Sequence, residues 1–433
     1  MNKNNLFLLV LVSISLSITS CREKSDTLLP YDKYDVYNYG YATFSYEEQF
    51  KAFWTAMNCN YTLWDYEEEF GVDWDSTFDE YLPKFKELDA KGVVSDNELF
   101  SLYEEMVKPL HDGHLAIQIC NIKSGKYSAY IKPSEIRNQI ERKSDMDVPE
   151  TNLYYYYSPA AGDNMVVDHD EMKYDYLFPA SHNCQYALFK ENIVYYQLSA
   201  FNLSDFDKKA GLLEKQERLD SVVNVRNKWF DKVRELHQNR SLKGVIIDVR
   251  NNGGGYAEDY KYVLGSLQDP NYTINGRNYL KIGEERYKTG VGRLDFSSQR
   301  FPCLFTLNSE RETISDVPVV ILANCNTVST AEFVCLNAKN MDNGYVIGRR
   351  TWGAYSTLNN AYTESYSGII GEQNKGPFFM YIPKCAFFSD DGEIIEGKGV
   401  TPDIDVQLDV QEYYSTGRDT QLERALEFIR TGK

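Results

Sequence analysis

The stretch Val319-Val-Ile-Leu-Ala-Asn-Cys-Asn-Thr-Val-Ser329-Thr-Ala-Glu332 joins a short apolar strand to the start of a helix, with a serine at the junction. A serine at such a junction has its hydroxyl exposed beside helix N-terminal amides, which can stabilise an anion. Taken alone, a serine after a strand is more often a helix N-cap than a nucleophile. Ser329 is therefore a candidate nucleophile, and a helix cap is the alternative.

A second stretch of the same kind, Gly244-Val-Ile-Ile-Asp-Val-Arg-Asn-Asn-Gly-Gly-Gly255, comes earlier in the chain. Its apolar residues predict a buried strand, and the glycine triplet lets backbone N–H groups approach a substrate closely. We expect Asp248 and Arg250 to be structural and to hold the geometry of the loop. If the two strands belong to one sheet, the chain has both halves of an acyl-transfer site.

The C-terminal half alternates apolar strands with amphipathic helices, which predicts an α/β core. The predicted strands cover residues 193–198, 243–249, 319–323, 344–348, 378–388 and 404–406, and the predicted helices cover 215–239, 331–339 and 419–430. Before residue 115 the period is helical, with helices expected to begin near Tyr46, Asp75 and Asp96 and a strand to follow at Leu115–Cys120.

Residues 121–190 carry no clear period and are predicted to form a β-rich variable insert without the glycine-loop pattern of a PDZ domain. The predicted organisation is a lipoprotein signal peptide at 1–20, a tether at 21–44, an N-terminal helical subdomain at 45–120, the insert at 121–190 and the α/β core at 191–433.

The first residues predict export. The mostly apolar run from Leu6 to Ile18 is too short for a stable transmembrane anchor and is typical of a secretory signal. Cys21 follows small residues, as in a bacterial lipoprotein box, and would then carry the lipid anchor. The alternative is a plain signal peptide with an incidental cysteine. We expect a lipid-anchored protein of the bacterial cell envelope, with the outer membrane as the expected location.

Composition excludes several classes of partner. The net charge of −18 argues against nucleic acid, which binds to basic surfaces. The eight cysteines include no CxxC pair, so no metal site is expected, and no cofactor is indicated. Apart from Cys21, the cysteines are interpreted as buried small hydrophobic residues.

A serine nucleophile needs a base, and the chain has five histidines. His111 and His114 lie at a helix-to-strand corner around Asp112-Gly113, where functional groups are often presented. The other histidines lie in the insert or in the long helix. The residues alone leave both His111 and His114 as candidates.

The chain resembles the tricorn-core and carboxy-terminal-processing family of serine peptidases over about residues 45–120 and 190–430. The resemblance is carried, in this order, by Leu110-His-Asp-Gly-His114, Val245 to Gly255, Ser329-Thr-Ala-Glu332, Val346-Ile-Gly-Arg-Arg-Thr-Trp-Gly353 and Gly399-Val-Thr-Pro-Asp-Ile404. It implies a ClpP/crotonase-like α/β core.

The resemblance also selects between two catalytic schemes. The processing branch uses a serine–lysine dyad, but Ala354 stands at the place of the lysine and none occurs between Lys339 and Lys375. The tricorn-like scheme assigns the base to His114 by its motif, although Gly113 stands where tricorn has a serine. For the late acid the candidates are Glu396 and, second, Glu393, with exposed hairpin charges as the alternative.

The implied activity is peptide hydrolysis through an acyl-enzyme on Ser329, acting on peptides or unfolded proteins. The oxyanion would be held by the backbone N–H groups of Thr330 and of Gly254, or of its neighbour Gly255. Since the family resemblance extends to interphotoreceptor retinoid-binding protein, a non-catalytic ligand- or peptide-binding lipoprotein is the second hypothesis. A crotonase-type acyl-CoA enzyme is the third, and the export signal disfavours it.

Overall fold

The computed structural model describes residues 44–133, 152–174, 182–201, 216–265, 267, 273–280, 300–306, 314–356, 369–383, 385–388 and 396–433. The predicted signal peptide, Cys21, the tether up to residue 43 and Glu393 lie outside these ranges. Within them, no helix combines the length and apolar character that a membrane span requires.

The α-helices of the described residues are α1 Tyr46–Asn60, α2 Trp64–Glu69, α3 Trp74–Lys91, α4 Asp96–Val107, α5 Gln216–Gln238, α6 Lys261–Leu264, α7 Thr330–Lys339, α8 Val410–Thr416 and α9 Thr420–Thr431. The strands are β1 Ala116–Asn121, β2 Lys126–Tyr127, β3 Val166–Tyr174, β4 His182–Phe189, β5 Ile193–Leu198, β6 Gly244–Asp248, β7 Thr273–Leu280, β8 Arg300–Thr306, β9 Val319–Ala323, β10 Gly344–Gly348, β11 Ile369–Glu372, β12 Lys375–Tyr381, β13 Cys385–Phe388 and β14 Ile404–Asp405.

The core is a seven-stranded sheet of order β14-β10-β9-β6-β5-β4-β3. Neighbouring strands from β14 to β5 are parallel, and β4 and β3 continue the sheet antiparallel. Val245 pairs with Val319 and Asp248 with Leu322, so β6 and β9 are direct neighbours. The predicted placement of the glycine stretch and the serine stretch in one sheet is confirmed, and their loops leave the same edge.

The strands of this sheet that are rich in β-branched residues are buried on both faces, as is usual for parallel sheets. Alternate side chains point to opposite faces. Val245, Ile247 and Ile321 pack with Trp229 of α5 and Val334 of α7. On the other face, a second apolar cluster joins the sheet to α9; its members include Ile246, Val320, Leu322, Ile347, Leu422 and Leu426.

The N-terminal helices pack on a smaller sheet of order β11-β12-β1-β2. Ile117 of β1 pairs with Met380 of β12, so residues far along the chain complete the apolar core of the helical part. Asp73 caps α3 by accepting hydrogen bonds from the N–H groups of Asp75 and Ser76, which places the helix start slightly before the predicted one.

The segment predicted to be a variable insert contributes β3 and β4 to the core sheet. Cys184 pairs with Leu198 and Phe189 with Ile193, so β4 and β5 are neighbouring antiparallel strands. The predicted division at residue 190 therefore falls inside one sheet. Its tyrosine run, Tyr154–Tyr157, forms a 3₁₀ turn.

A buried charge network ties the last helix to the core. The Arg250 Nη2 atom lies 2.6 Å from Asp248 Oδ2 and 2.7 Å from Asp419 Oδ2. The hydroxyl of Tyr195 donates to Asp248 Oδ2 at 2.8 Å, and Gln421 Oε1 accepts from Arg250 Nη1 at 3.0 Å. The structural role predicted for Asp248 and Arg250 is confirmed by these contacts.

We expect Asp419→Asn to lower the free energy of unfolding by about 3–5 kcal/mol, because it removes one partner of a buried charge while keeping a good helix cap. Urea denaturation measures the change. Glu427→Ala on the same helix is the control: its contact with Arg424 is 3.4 Å long and exposed, and its loss should change stability by less than about 0.5 kcal/mol. Equal losses in the two variants would contradict the assignment.

Candidate active site

Ser329 lies at the junction of β9 and α7 in an unusual backbone conformation, with φ 59° and ψ −122°. Residues with a side chain adopt such a conformation only where their surroundings enforce it, and functional sites are where this is commonest. The N–H of Ser329 donates to Glu332 Oε2 at 3.0 Å, and its carbonyl accepts from the N–H of Glu332 at 2.8 Å. The serine is half-buried at the carboxyl edge of the sheet.

Glu332 is the group that enforces this conformation. Besides Ser329, its fully buried carboxylate accepts from Thr351 Oγ1 at 2.6 Å and from the N–H groups of Gly353 at 2.6 Å and Ala354 at 2.8 Å. Burial raises the pKa of Glu332, and these hydrogen bonds act in the opposite direction. Local sequence patterns alone assign no catalytic role to Glu332. Its spacing of three residues after a serine is the signal of a capping box.

The glycine loop reaches the same serine. A Cβ on Gly254 would lie 2.6 Å from Ser329 Cβ and 3.0 Å from the backbone nitrogen of Thr330. The N–H of Gly254, however, donates to Asn252 Oδ1 at 2.8 Å. The first choice for an oxyanion-binding amide is therefore already engaged. The alternative, Gly255, is exposed and lies beside the residue that follows Ser329, since its carbonyl accepts from Thr330 Oγ1 at 2.8 Å.

The His114 corner packs on the segment that Glu332 holds. A Cβ on Gly113 would lie 2.7 Å from Ala354 Cβ and 2.8 Å from Trp352 Nε1. Segment 352–354 is thus the common neighbour of the Ser329 loop and the His114 corner. The same contacts leave no room for a side chain at Gly113.

The surroundings of His114 favour the neutral form of its imidazole. The ring is partly exposed, but its Nδ1 atom is buried and, among the residues that the structure describes, has no hydrogen-bond partner. Burial lowers the pKa of the imidazole to about 4. A neutral imidazole at ordinary pH can accept a proton from a hydroxyl.

Two buried carboxyl groups accompany the imidazole. Asp112, His114 and Glu396 each offer one polar atom within 4.8 Å of the others. Glu396 is buried rather than an exposed hairpin charge, and its Oε2 accepts from the N–H groups of Tyr355 at 3.0 Å and Ser356 at 2.8 Å. Burial raises the pKa of Glu396 to about 7. The pKa of Asp112 is raised well above its usual value, mainly by burial and to a smaller extent by the nearby charge of Glu396.

Residues 192–406 match the sequence profile of peptidase family S41. The chain carries a peptidase family S41 domain. It is 27% identical over 196 residues to the tricorn protease of Thermoplasma volcanium, a match that covers 44% of this chain and 15% of that protein. Tricorn protease homolog 1 of Streptomyces coelicolor is 25% identical over 199 residues, covering 46% of this chain and 15% of that protein. The match thus spans a small part of these much longer relatives.

Solved structures show the same fold around the S41 domain. A candidate peptidase from Parabacteroides merdae superposes with a TM-score of 0.59 at 19% identity, covering 89% of this chain and 97% of that one. Mature CPAF superposes with a TM-score of 0.52 at 11% identity, covering 89% of this chain and 96% of that one. The expected family and the mixed α/β fold with a helical N-terminal region are confirmed.

Two of the other histidines, His111 and His237, have carboxylate partners of their own. His111 Nδ1 lies 3.0 Å from Glu67 Oε2, and its ring stacks on Phe70 with centroids 3.9 Å apart. His237 Nε2 lies 2.8 Å from Asp316 at the surface. Of the two histidines that the sequence left open, His114 is the one joined to the serine loop through segment 352–354.

We expect Gly254→Ala to destabilise the S41 domain by about 1–3 kcal/mol, because the new Cβ would overlap the Ser329 loop in a backbone with φ +89°. The neighbouring variant Gly253→Ala is the matched control, since a Cβ there meets nothing within 4 Å. Urea denaturation of both variants measures the difference. A loss of similar size at Gly253 would show that general loop flexibility, rather than contact with Ser329, is responsible.

Proposed function

We propose that the S41 domain is a serine peptidase in which Ser329 is the nucleophile and His114 the base, with Glu396 as the acid that orients His114. One observation carries the proposal. The strained backbone of Ser329 is joined through the carboxylate of Glu332 to segment 352–354, on which the His114 corner packs. The substrate class is peptides or unfolded proteins, and the names of the relatives support it.

The proposed chemistry is acyl transfer. Neutral His114 takes the proton of the Ser329 hydroxyl as the oxygen attacks the peptide carbonyl, and it returns the proton to the leaving amine. Water then hydrolyses the acyl-enzyme with His114 again as the base. The N–H groups of Gly255 and Thr330 hold the oxyanion in this proposal. Ionised Glu396 stabilises the imidazolium that forms.

The competing schemes have less support. A serine–lysine dyad would place its lysine at Ala354, whose side chain is fully buried against the His114 corner. A purely ligand-binding protein has no need of a strained serine, a neutral imidazole and a buried acid together. The hypothesis of a non-catalytic binding protein is therefore not favoured.

Ser329→Ala should lower kcat by at least about a thousandfold, because the acyl-enzyme cannot form without the hydroxyl. Hydrolysis of fluorescently labelled, unfolded casein measures the rate, and a fluorophosphonate probe should label the unsubstituted chain at Ser329 only. Hydrolysis that survives in Ser329→Ala would assign the nucleophile to another residue.

The base is tested in the same assay with His114→Gln and the matched variant His111→Gln. The first should lose activity, whereas the second should keep it because His111 is engaged with Glu67. Retained activity in His114→Gln would assign the base to another group.

We also infer that the chain is exported and held in the bacterial cell envelope, with the outer membrane as the expected location, by a lipid on Cys21. The apolar run from Leu6 to Ile18 and the small residues before Cys21 support this. In bacterial cells the chain should incorporate labelled palmitate and sediment with membranes, whereas Cys21→Ser should do neither. Equal labelling of the two chains would contradict the anchor.

A further inference from the structure

The carboxyl groups of Asp112 and Glu396, which are buried, form a cluster with the partly exposed ring of His114. Asp112 is 2% exposed and Glu396 1% exposed, and one polar atom of each of the three residues lies within 4.8 Å of the others. Asp112 and His114 come from the corner after α4, and Glu396 comes from the loop before β14. Cysteine spacing predicts no metal site in this chain, but it cannot reveal a set of ligands so dispersed along the sequence.

Each carboxylate is fixed through one oxygen and presents the other. Asp112 Oδ1 accepts from the N–H of His114 at 2.7 Å, and Glu396 Oε2 accepts from the N–H groups of Tyr355 and Ser356. Within the described part of the chain, Asp112 Oδ2 and His114 Nδ1 are buried and have no partner. Glu396 Oε1 accepts a long 3.4 Å contact from the N–H of Gly113. Buried polar atoms left in this way are costly unless a further ligand satisfies them.

We propose that Asp112, His114 and Glu396 bind one divalent transition-metal ion of the zinc class. Such an ion lies about 2.0–2.2 Å from nitrogen and carboxylate ligands, so ligand atoms grouped within 4.8 Å of one another can reach it with small shifts. Two carboxylates balance its charge, and the imidazole favours zinc over magnesium or calcium. The backbone hydrogen bonds to both carboxylates orient them as outer-shell partners orient the ligands of metal sites.

The bound ion would block the reaction. An imidazole that coordinates a metal through one ring nitrogen carries its proton on the other nitrogen, so it has no lone pair left to accept the proton of Ser329. The site is thus a metal-operated off-switch for the peptidase. This blocking role rests on the proposed function, whereas the binding of the ion does not.

Binding is tested on the full chain with Ser329→Ala, which removes hydrolysis from the measurement. Cobalt(II) absorption and zinc calorimetry should both give one ion per chain. Adding Asp112→Asn or Glu396→Gln should weaken binding at least about tenfold. The control Asp316→Asn alters the exposed pair with His237 and should leave the affinity unchanged. Circular dichroism verifies that each variant folds. The proposal is overturned if the folded chain binds no ion, or if binding is equally tight in both Asp112→Asn and Glu396→Gln.

The blocking role is tested on the unsubstituted chain with labelled casein. Zinc at saturation should lower hydrolysis at least about tenfold, and a chelator should restore it. Undiminished hydrolysis with the site saturated would overturn the blocking role. A chain that binds zinc in the first experiment but hydrolyses nothing after chelation would contradict the proposed peptidase function while supporting the metal site.

Discussion

One buried carboxylate links the Ser329 loop to the segment on which the His114 corner packs. Glu332 accepts hydrogen bonds from Ser329 on one side and from Thr351, Gly353 and Ala354 on the other. The burial of an ionised carboxylate is costly, and four donors that converge on it offset that cost. Both carboxylate oxygens of Glu332 accept hydrogen bonds. A shift of either the Ser329 loop or segment 351–354 relative to the other would therefore break hydrogen bonds to Glu332. The unusual backbone of Ser329 is thereby maintained without a glycine.

The candidate site forms where the helical part meets the core sheet. His114 comes from the first part and Ser329 from the second, and β12 returns from the second part to pair with β1 directly after His114. A Cβ on Gly397, next to Glu396, would lie only 1.9 Å from the hydroxyl oxygen of Tyr66 in the helical part. Neither part contains a complete set of reacting groups, so the chemistry depends on how the two pack together.

The sequence predicted what local patterns encode. The strands Val319–Ala323 and Gly344–Gly348 were predicted at their observed bounds because each is a short apolar run between turn-forming residues. The burial of Glu396, the engagement of the Gly254 amide by Asn252 and the place of β4 in the core sheet were beyond such patterns. Each depends on contacts or on side-chain geometry that periodicity does not record. The family resemblance predicts His114 rather than His111 as the base, and the packing of Gly113 on Ala354 places this corner next to the segment that contacts the Ser329 loop.

The pairing of Arg250 with Asp419 has a consequence for how the protein is made. Arg250 follows a central strand, and its second carboxylate belongs to the N-cap of the final helix. Asp419 is 169 residues further along the chain, so during synthesis the guanidinium can be buried at low cost only after that much more chain has been made. A copy that ends before Asp419 would lack this partner, and the buried charge would leave it less stable and more open to proteolysis. Only copies that extend past Asp419 can therefore bury Arg250 between both of its carboxylates.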